Sequence, residues 1–478
     1  MRPLEIVLSA LAVAVVLCLF SGRWRKVAGW LAAGTLAIAI LHGIFEGAHW
    51  QMIPAYAAVC VACLLAWRPR GKRVWIFRFG AAFSLLLIAA SLLLSYLLPM
   101  FRLPKPTGPY LVGTTTFYLK DASRIEDAAP GGHQARELMV QIWYPAQASD
   151  KKFARYRELK TTRAVSSYQS VLATNSRLDA PVANSGAPFS VILFNHGWGG
   201  RRTNDTFLTE ELASQGYVVA SIDHTYNAAQ VLFPDGRVVR GDGSSNIESP
   251  DSSSAEQVRA DWDKELLKWT ADEEFVLNSL AQMNLSSGSP WFGRLNTSEV
   301  GAMGHSFGGA AATEACGQDP RIRGAINMDG WFFGAIRRRG ANQPLLYLYA
   351  SSGQPPATTY GPHDPVSVVL NAQDFLETEQ SMRRFGGYLV SIKGAEHNDF
   401  TDQPLISPLR SLSYSGSVPP AEMEAIVRRY VVAFFDKTIR RSDPEILHSR
   451  SGPFAEATLE AWPPLEQAKA VAVAALRR

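Results

Sequence analysis

Ser306 stands inside Gly304-His305-Ser306-Phe307-Gly308-Gly309, a G-x-S-x-G pattern. Before it, Ser298–Met303 can form a short buried strand, and after it Gly309–Ala315 is a good helix former. A serine on a sharp strand-to-helix turn needs small neighbours, because the backbone folds tightly and lifts Oγ clear of the sheet. The following helix start adds backbone N–H groups and a partial positive charge beside the reacting oxygen. Such a pattern arises by chance in roughly one chain in ten of this length, so Ser306 needs partners before it carries an argument.

An alcohol becomes a nucleophile beside a base that an acid orients. In the strand–serine–helix arrangement the chain order is serine, acid, histidine. Of nine histidines, only His363, His397 and His448 follow Ser306. His363 sits in a Pro-rich segment and His448 in a polar C-terminal stretch. His397 follows the apolar run 387–392 through Lys393-Gly394-Ala395-Glu396, where a histidine loop belongs, and is the preferred base. For the acid, the run 344–350 leads into Ser351-Ser352-Gly353-Gln354-Pro355-Pro356 with no carboxylate before Asp364. One strand earlier, Ile326-Asn327-Met328-Asp329-Gly330-Trp331 ends in a carboxylate at the right edge. Asp329 is preferred, with Asp364 and Asp399 as competitors. Its task would be to fix the histidine tautomer and stabilise imidazolium. Oxyanion donors are expected from the N–H of Phe307 and from the loop Asn195-His196-Gly197-Trp198-Gly199-Gly200, with the Trp198 N–H the donor. Trp331, Phe332 and Phe333 are expected to line an apolar pocket, core packing being the alternative.

The elements that must hold these residues alternate. Runs 113–119 and 138–144 suggest an antiparallel pair. Strands are expected at 189–194, 217–223, 299–303, 324–328, 344–350 and 387–392, and helices at 203–215, 255–283 and 421–438. This is the pattern of a mostly parallel α/β sheet with helices on both faces, over about 113–440. Residues 241–254, rich in Gly, Ser and Asp, read as a surface loop, and 441–478 as a C-terminal tail.

A different module precedes it. Residues 4–20, 27–45, 52–67 and 79–98 are apolar runs without charge apart from Glu5, each near the length of a membrane-crossing helix. The first has no small-residue cleavage site, so it reads as a span and not as a signal peptide. Loops 21–26 and 68–78 are rich in Arg and Lys, whereas the connection between the second and third runs carries only Glu46. Positive loops stay cytoplasmic, which places the N-terminus and everything beyond residue 98 on the outer side. The basic excess is a topology signal: residues 1–110 hold 11 Lys/Arg against 2 Asp/Glu, and the rest of the chain is net acidic. Nothing suggests a nucleic-acid partner. Residues 99–112, with four prolines, read as a stiff extended linker reaching up to ~40 Å.

Cys18, Cys60 and Cys63 fall in the apolar runs and Cys316 is alone beyond them, so no disulfide is expected in the α/β part. Cys60 and Cys63 read as small packing residues despite their C-x-x-C spacing. His42, Glu46 and His49, at spacings of four and three, would share one face of a helix, as a metal site requires. Ordinary polar residues at a membrane interface are the alternative.

With these residues in place, the chain over about 113–400 resembles the plasma and type II intracellular platelet-activating factor acetylhydrolases, within the α/β-hydrolase superfamily. The resemblance rests on Val112-Gly113, Ile142-Trp143-Tyr144-Pro145, Phe194-Asn195-His196-Gly197 and Ser221-Ile222-Asp223-His224. It continues through Gly304–Gly309, Met328-Asp329-Gly330-Trp331 and Glu396-His397-Asn398-Asp399-Phe400. It implies hydrolysis of short or oxidised acyl esters of phospholipids by a Ser306-Asp329-His397 triad, with no metal or cofactor. In that family the acid follows the strand after the elbow, as Asp329 does. Two departures stand out: Trp198 occupies a position where a smaller apolar residue is usual, and the four apolar runs have no counterpart in the secreted or cytosolic members. An ester or phospholipid at the bilayer surface is the expected substrate. The alternatives are a general carboxylesterase or polyester hydrolase, and a non-enzymatic membrane protein whose hydrolase fold binds ligand.

Overall fold

The structure is a computed structural model that describes the chain except for residues 1, 22–23, 69–73, 133, 242–253, 342, 352–360, 362–363, 450–451 and 464–478. The expected loop at 241–254 and His363 therefore lie essentially outside the described residues. The chain divides into two compact units.

The first unit comprises Met1–Arg102 together with Arg155–Ala173 and Leu405–Ser413. Its frame is four apolar helices: α1 (Pro3–Ser21), α2 (Arg25–Leu41), α3 (Ile53–Trp67) and α4 (Val74–Leu97). All four are long and apolar enough to cross a membrane by length and composition. They meet through small residues: Ala12, Ala28, Ala32, Ala55, Ala58, Ala62 and Ala81 are all buried, as close helix approach without a hydrophobic gradient demands. Cys63 is among these packed residues and its thiol points to Ala32 O. The fourth helix begins earlier than its apolar run, so Arg78 is helical. After α2 the chain widens into a single π-turn, His42–Gly47, and His49 is already extended. His42, Glu46 and His49 thus do not share the face of one regular helix.

The second unit holds an eleven-stranded sheet. Its strands are β1 (Leu111–Glu126), β2 (Gln134–Ala146), β3 (Phe153–Arg155), β4 (Ala173–Leu178), β5 (Phe189–Asn195), β6 (Tyr217–Asp223), β9 (Leu295–His305), β10 (Ile322–Met328), β11 (Leu345–Ser351), β12 (Gly387–Lys393) and β13 (Ala457–Trp462). A separate hairpin supplies β7 (Gln230–Leu232) and β8 (Val238–Arg240). The order across the sheet is β13-β12-β11-β10-β9-β5-β6-β2-β1-β4-β3. β6, β5, β9, β10, β11 and β12 are parallel neighbours. β1 and β2 form the expected antiparallel pair, in register from Leu111↔Ala146 to Asp121↔Arg136. The central strands carry apolar runs at the core, and Val191, Ile192, Leu193, Phe194, Ala302, Met303 and Ile326 are buried, because helices cover both sheet faces. The helices are α5 (Thr206–Ser214), α6 (Ala255–Leu285), α7 (Phe307–Gln318) and those at Val366–Phe385 and Pro420–Thr438.

Two expectations are corrected. Residues of the expected linker from Leu103 onward belong to the second unit, and Leu103 is buried. The Thr107 N–H (2.9 Å) and hydroxyl (2.5 Å) donate to Glu211, and Tyr110 N–H donates to Ser214 O. Those partners replace the solvent that a free polyproline spacer would need. The expected tail contributes β13, which pairs antiparallel with β12 and buries Ala457 and Leu459. Its alternating Ala-Thr-Leu-Glu-Ala-Trp pattern is that of an edge strand with one face on the core.

Candidate active site

Four loops at the carboxyl ends of parallel strands build the site, where open α/β sheets place their ligands. At the end of β9, Ser306 has φ 56° and ψ −127° and stands as the N-cap of α7. A non-glycine residue at such angles costs about 1–3 kcal/mol, held only where the surroundings over-determine it. Here Ser306 N–H is tied to Met328 O at 2.8 Å, and α7 starts at once. Gly308 must lack a side chain, since a Cβ there would stand 2.3 Å from Asn195 O.

At the end of β10, Asp329 also has positive φ, 56°. Its N–H donates to Leu348 O at 2.8 Å, and its Oδ1 accepts from Ala350 N–H at 2.8 Å. Oδ2 lies 2.6 Å from His397 Nδ1. The competing carboxylates are engaged elsewhere. Asp399 Oδ2 accepts from the N–H groups of Glu396 and Gly416, and Asp364 accepts from Gly361 N–H. Among the histidines, His448 bonds to Asp443 at 2.7 Å.

His397 opens a 3₁₀ turn closed by a Glu396–Asp399 capping box. A second anchor was not foreseen. His305 Nε2 donates to His397 O at 2.8 Å, and the two rings lie 4.5 Å apart. Burial pushes His305 down to about 3, so its ring is neutral and holds this single tautomer. The signal was visible as a histidine beside the serine, but its direction depends on the tight turn.

The loop after β5 reaches the same place. A Cβ on Gly197 would stand 3.2 Å from Ser306 Cβ and 3.0 Å from His305 Nδ1. The chain at Gly197-Trp198 therefore passes directly over the serine. A buried polar network steadies its root: His224 Nδ1 lies 2.8 Å from Asp272, His224 Nε2 lies 3.0 Å from Asn195 Oδ1, and Arg136 clamps Asp272. Burial alone would raise the Asp272 carboxyl, but Arg136 and His224 hold it well below the usual carboxylate range.

A cavity of about 650 Å³ opens over Ser306, Phe307, Asp329 and His397. Trp331 and Phe333 line it, together with Trp262, Tyr347 and Asp374. Phe332 does not: its side chain is buried in the main core and its N–H bonds to Asp374 Oδ1. Adjacent residues on an extended segment face opposite ways, which splits the aromatic triplet. The Trp198 indole is packed against Trp262, Trp269 and Phe307 and is not part of the lining. Asp374 and Tyr347 had no place in the sequence reading; both come from elements whose approach to Ser306 is a matter of tertiary packing. Burial pushes the Asp374 carboxyl up to about 7, opposed by the Phe332 N–H.

The strand order, the tight turn at Ser306 and the cavity over it are those of an α/β hydrolase, and comparison with known proteins makes the chain a carboxylic ester hydrolase. Residues 98–234 and 270–445 match the family model of platelet-activating factor acetylhydrolase, isoform II, and the chain belongs to that family. It is 23% identical to a platelet-activating factor acetylhydrolase of Cavia porcellus, over 70% of this chain and 77% of the relative. It is 25% identical to a probable 1-alkyl-2-acetylglycerophosphocholine esterase of Arthroderma benhamiae, over 77% of this chain and 96% of that one. Among solved structures, a ferulic acid esterase from Streptomyces cinnamoneus superposes with a TM-score of 0.62 at 28% identity, covering 75% of this chain and 99% of its own.

Proposed function

We propose that the protein is a membrane-anchored serine esterase that removes short acyl groups from phospholipid-like esters through an acyl-enzyme. The observation that carries this reading is the 2.6 Å contact between Asp329 Oδ2 and His397 Nδ1, in one cavity with the strained Ser306. A proton on His397 Nδ1, held by Asp329, leaves Nε2 as the base toward Ser306. Ser306 Oγ attacks the ester carbonyl as its proton passes to His397 Nε2. The N–H groups of Phe307 and Trp198 hold the oxyanion. The protonated histidine gives its proton to the leaving alcohol. Water, deprotonated by His397, then releases the acid and restores Ser306. Family membership and the name of the Arthroderma benhamiae relative support a phospholipid-like ester.

The four apolar helices are the anchor, and the charge of their loops favours an outward-facing hydrolase unit. In that arrangement the substrate is an ester partitioned into the outer bilayer surface.

The test uses the full chain in detergent. Wild type should react with a fluorophosphonate and Ser306→Ala should not; an unlabelled wild type would remove the reading. A second reading, an esterase for aromatic or other non-lipid esters, is favoured by the aromatic cavity wall of Trp262, Trp331, Phe333 and Tyr347. Rates on p-nitrophenyl esters of rising chain length, beside short-acyl phospholipids and an aryl ester, separate the two.

A further inference from the structure

We infer that Glu5, His42, His49 and Glu46 in the helical unit form a binding site for a divalent transition-metal ion, zinc by its ligand set. The acceptor atoms of Glu5, His42 and His49 converge within 4.8 Å of one another, all from buried residues. Glu5 comes from the start of α1, His42 and Glu46 from the π-turn, and His49 from the extended stretch after it. Glu5 is the member the sequence spacing did not offer, since it lies more than one helix away.

Hydrogen bonds behind the two imidazoles decide which nitrogen carries a lone pair. Gln51 donates from Nε2 to Leu98 O at 3.1 Å, so its Oε1 faces His49 Nδ1, 2.8 Å away, and accepts that proton. With the ring neutral, His49 Nε2 presents a lone pair to Glu5 Oε1 at 3.1 Å. Arginine only donates. Arg2 Nη2 lies 3.2 Å from His42 Nε2, so that nitrogen too is an acceptor, and His42 Nδ1 donates to Tyr56 OH at 2.7 Å. Both histidines thus have the arrangement of metal ligands, with the outer N–H fixed by an oxygen and the inner lone pair aimed at a carboxylate.

Against a neutral His49, two acceptors 3.1 Å apart repel unless a cation lies between them, a metal ion or a proton on the ring. Two further edges have cation-site lengths as well: His42 Nε2 is 3.6 Å from Glu5 Oε1 and 3.7 Å from Glu46 Oε2. A tetrahedron with bonds of ~2.1 Å has edges of ~3.4 Å. Glu46 Oε2 is itself buried without a hydrogen-bond partner, while its Oε1 accepts from Leu4 N–H. It stands outside the 4.8 Å group of the other three, 3.8 Å from Arg2 Nε, and becomes the fourth ligand when it swings toward the ion. With both imidazoles neutral, two carboxylates against the single guanidinium of Arg2 leave one negative charge among the described groups, which a buried cluster does not tolerate unpaired. On binding, Arg2 would release His42 and keep its bonds to Glu5 Oε1 (2.5 Å) and Gly47 O (2.9 Å). Two imidazoles and two carboxylates suit zinc among the first-row ions.

The experiment is metal analysis of the full chain, purified in detergent without a polyhistidine tag, after incubation with zinc and dialysis against metal-free buffer. About one zinc per chain is expected in wild type. His49→Ala and Glu5→Gln should lose it while keeping the wild-type elution profile. Cobalt loading should give visible absorption bands of a tetrahedral site. If a ligand variant does not fold, Tyr56→Phe decides: it keeps every ligand and should weaken affinity ~10–100-fold. Wild type without zinc and without cobalt bands would overturn the inference, leaving a proton as the bridging cation. So would undiminished metal in His49→Ala and Glu5→Gln.

Discussion

Asp329 and His397, 68 residues apart in the chain, meet at 2.6 Å between Oδ2 and Nδ1. Asp329 reaches that position with a positive φ, its other oxygen held by Ala350 N–H. The carboxylate is fixed from two sides before it meets the imidazole. Asp329→Asn keeps the shape but presents an amide that can hold the wrong imidazole tautomer. Ester hydrolysis should then fall ~10³–10⁴-fold in kcat with KM little changed. Steady-state kinetics on a short-chain p-nitrophenyl ester checks this; a loss below tenfold would take Asp329 out of the mechanism.

Ser306→Ala removes the proposed nucleophile and also the need for its oxygen, while Gly197 and Gly308 leave room for the smaller residue. The variant should retain fold and thermal stability but lose covalent labelling, with turnover down by at least ~10³-fold. Intact-mass measurement after fluorophosphonate treatment gives the answer directly.

Gly197→Ala tests the loop that passes over the serine. Its new methyl would meet His305 Nδ1 at 3.0 Å and Ser306 Cβ at 3.2 Å. Neighbours must give by a few tenths of an ångström, and the Trp198 N–H moves with them. A fall of ~10–100-fold in kcat is expected, since small misplacements of catalytic groups are costly. Unchanged kcat would show that this loop supplies no donor.

Asp374 predicts a pH dependence of stability. Its carboxyl is ordinarily half-protonated near 3.8, and burial pushes it up to about 7 in the folded chain. Between those values the folded state binds more protons than the unfolded, so stability declines as pH rises and levels off above about 7. Asp374→Asn still accepts the Phe332 N–H and cannot ionise. Its melting temperature should match wild type near pH 4.5 and exceed it by ~2–5 °C at pH 8. Glu273, pushed up to about 8 by the same cause, keeps a residual slope in the variant. Thermal unfolding of both proteins across this range is the measurement.

Much of this protein was legible as local pattern. Six parallel strands are runs of apolar residues that only a sheet covered on both faces could bury. Ser306 announces itself because a tight elbow needs glycines at fixed offsets, and His397 follows from chain order. Phe332 was misjudged because the side of the segment that meets a cavity is set by neighbours tens of residues away, such as Asp374. Trp198 stood out as larger than usual at its position, and Trp269 and Trp262, from α6, draw its ring into packing. Leu103–Tyr110 looked like a spacer by composition, and backbone partners on α5 make it part of the second unit.

The sequence by itself determined the strand–elbow–helix serine, the order of its partners, and four helices apolar enough for a membrane, because each depends on residues close together in the chain. Only the tertiary structure decided that Asp329 and neither Asp364 nor Asp399 meets His397, that His305 anchors the histidine loop, and that Glu5 joins His42 and His49. Those contacts span tens of residues. They are fixed by which strand ends and helix ends are adjacent in space, a relation that spacing along the chain does not carry.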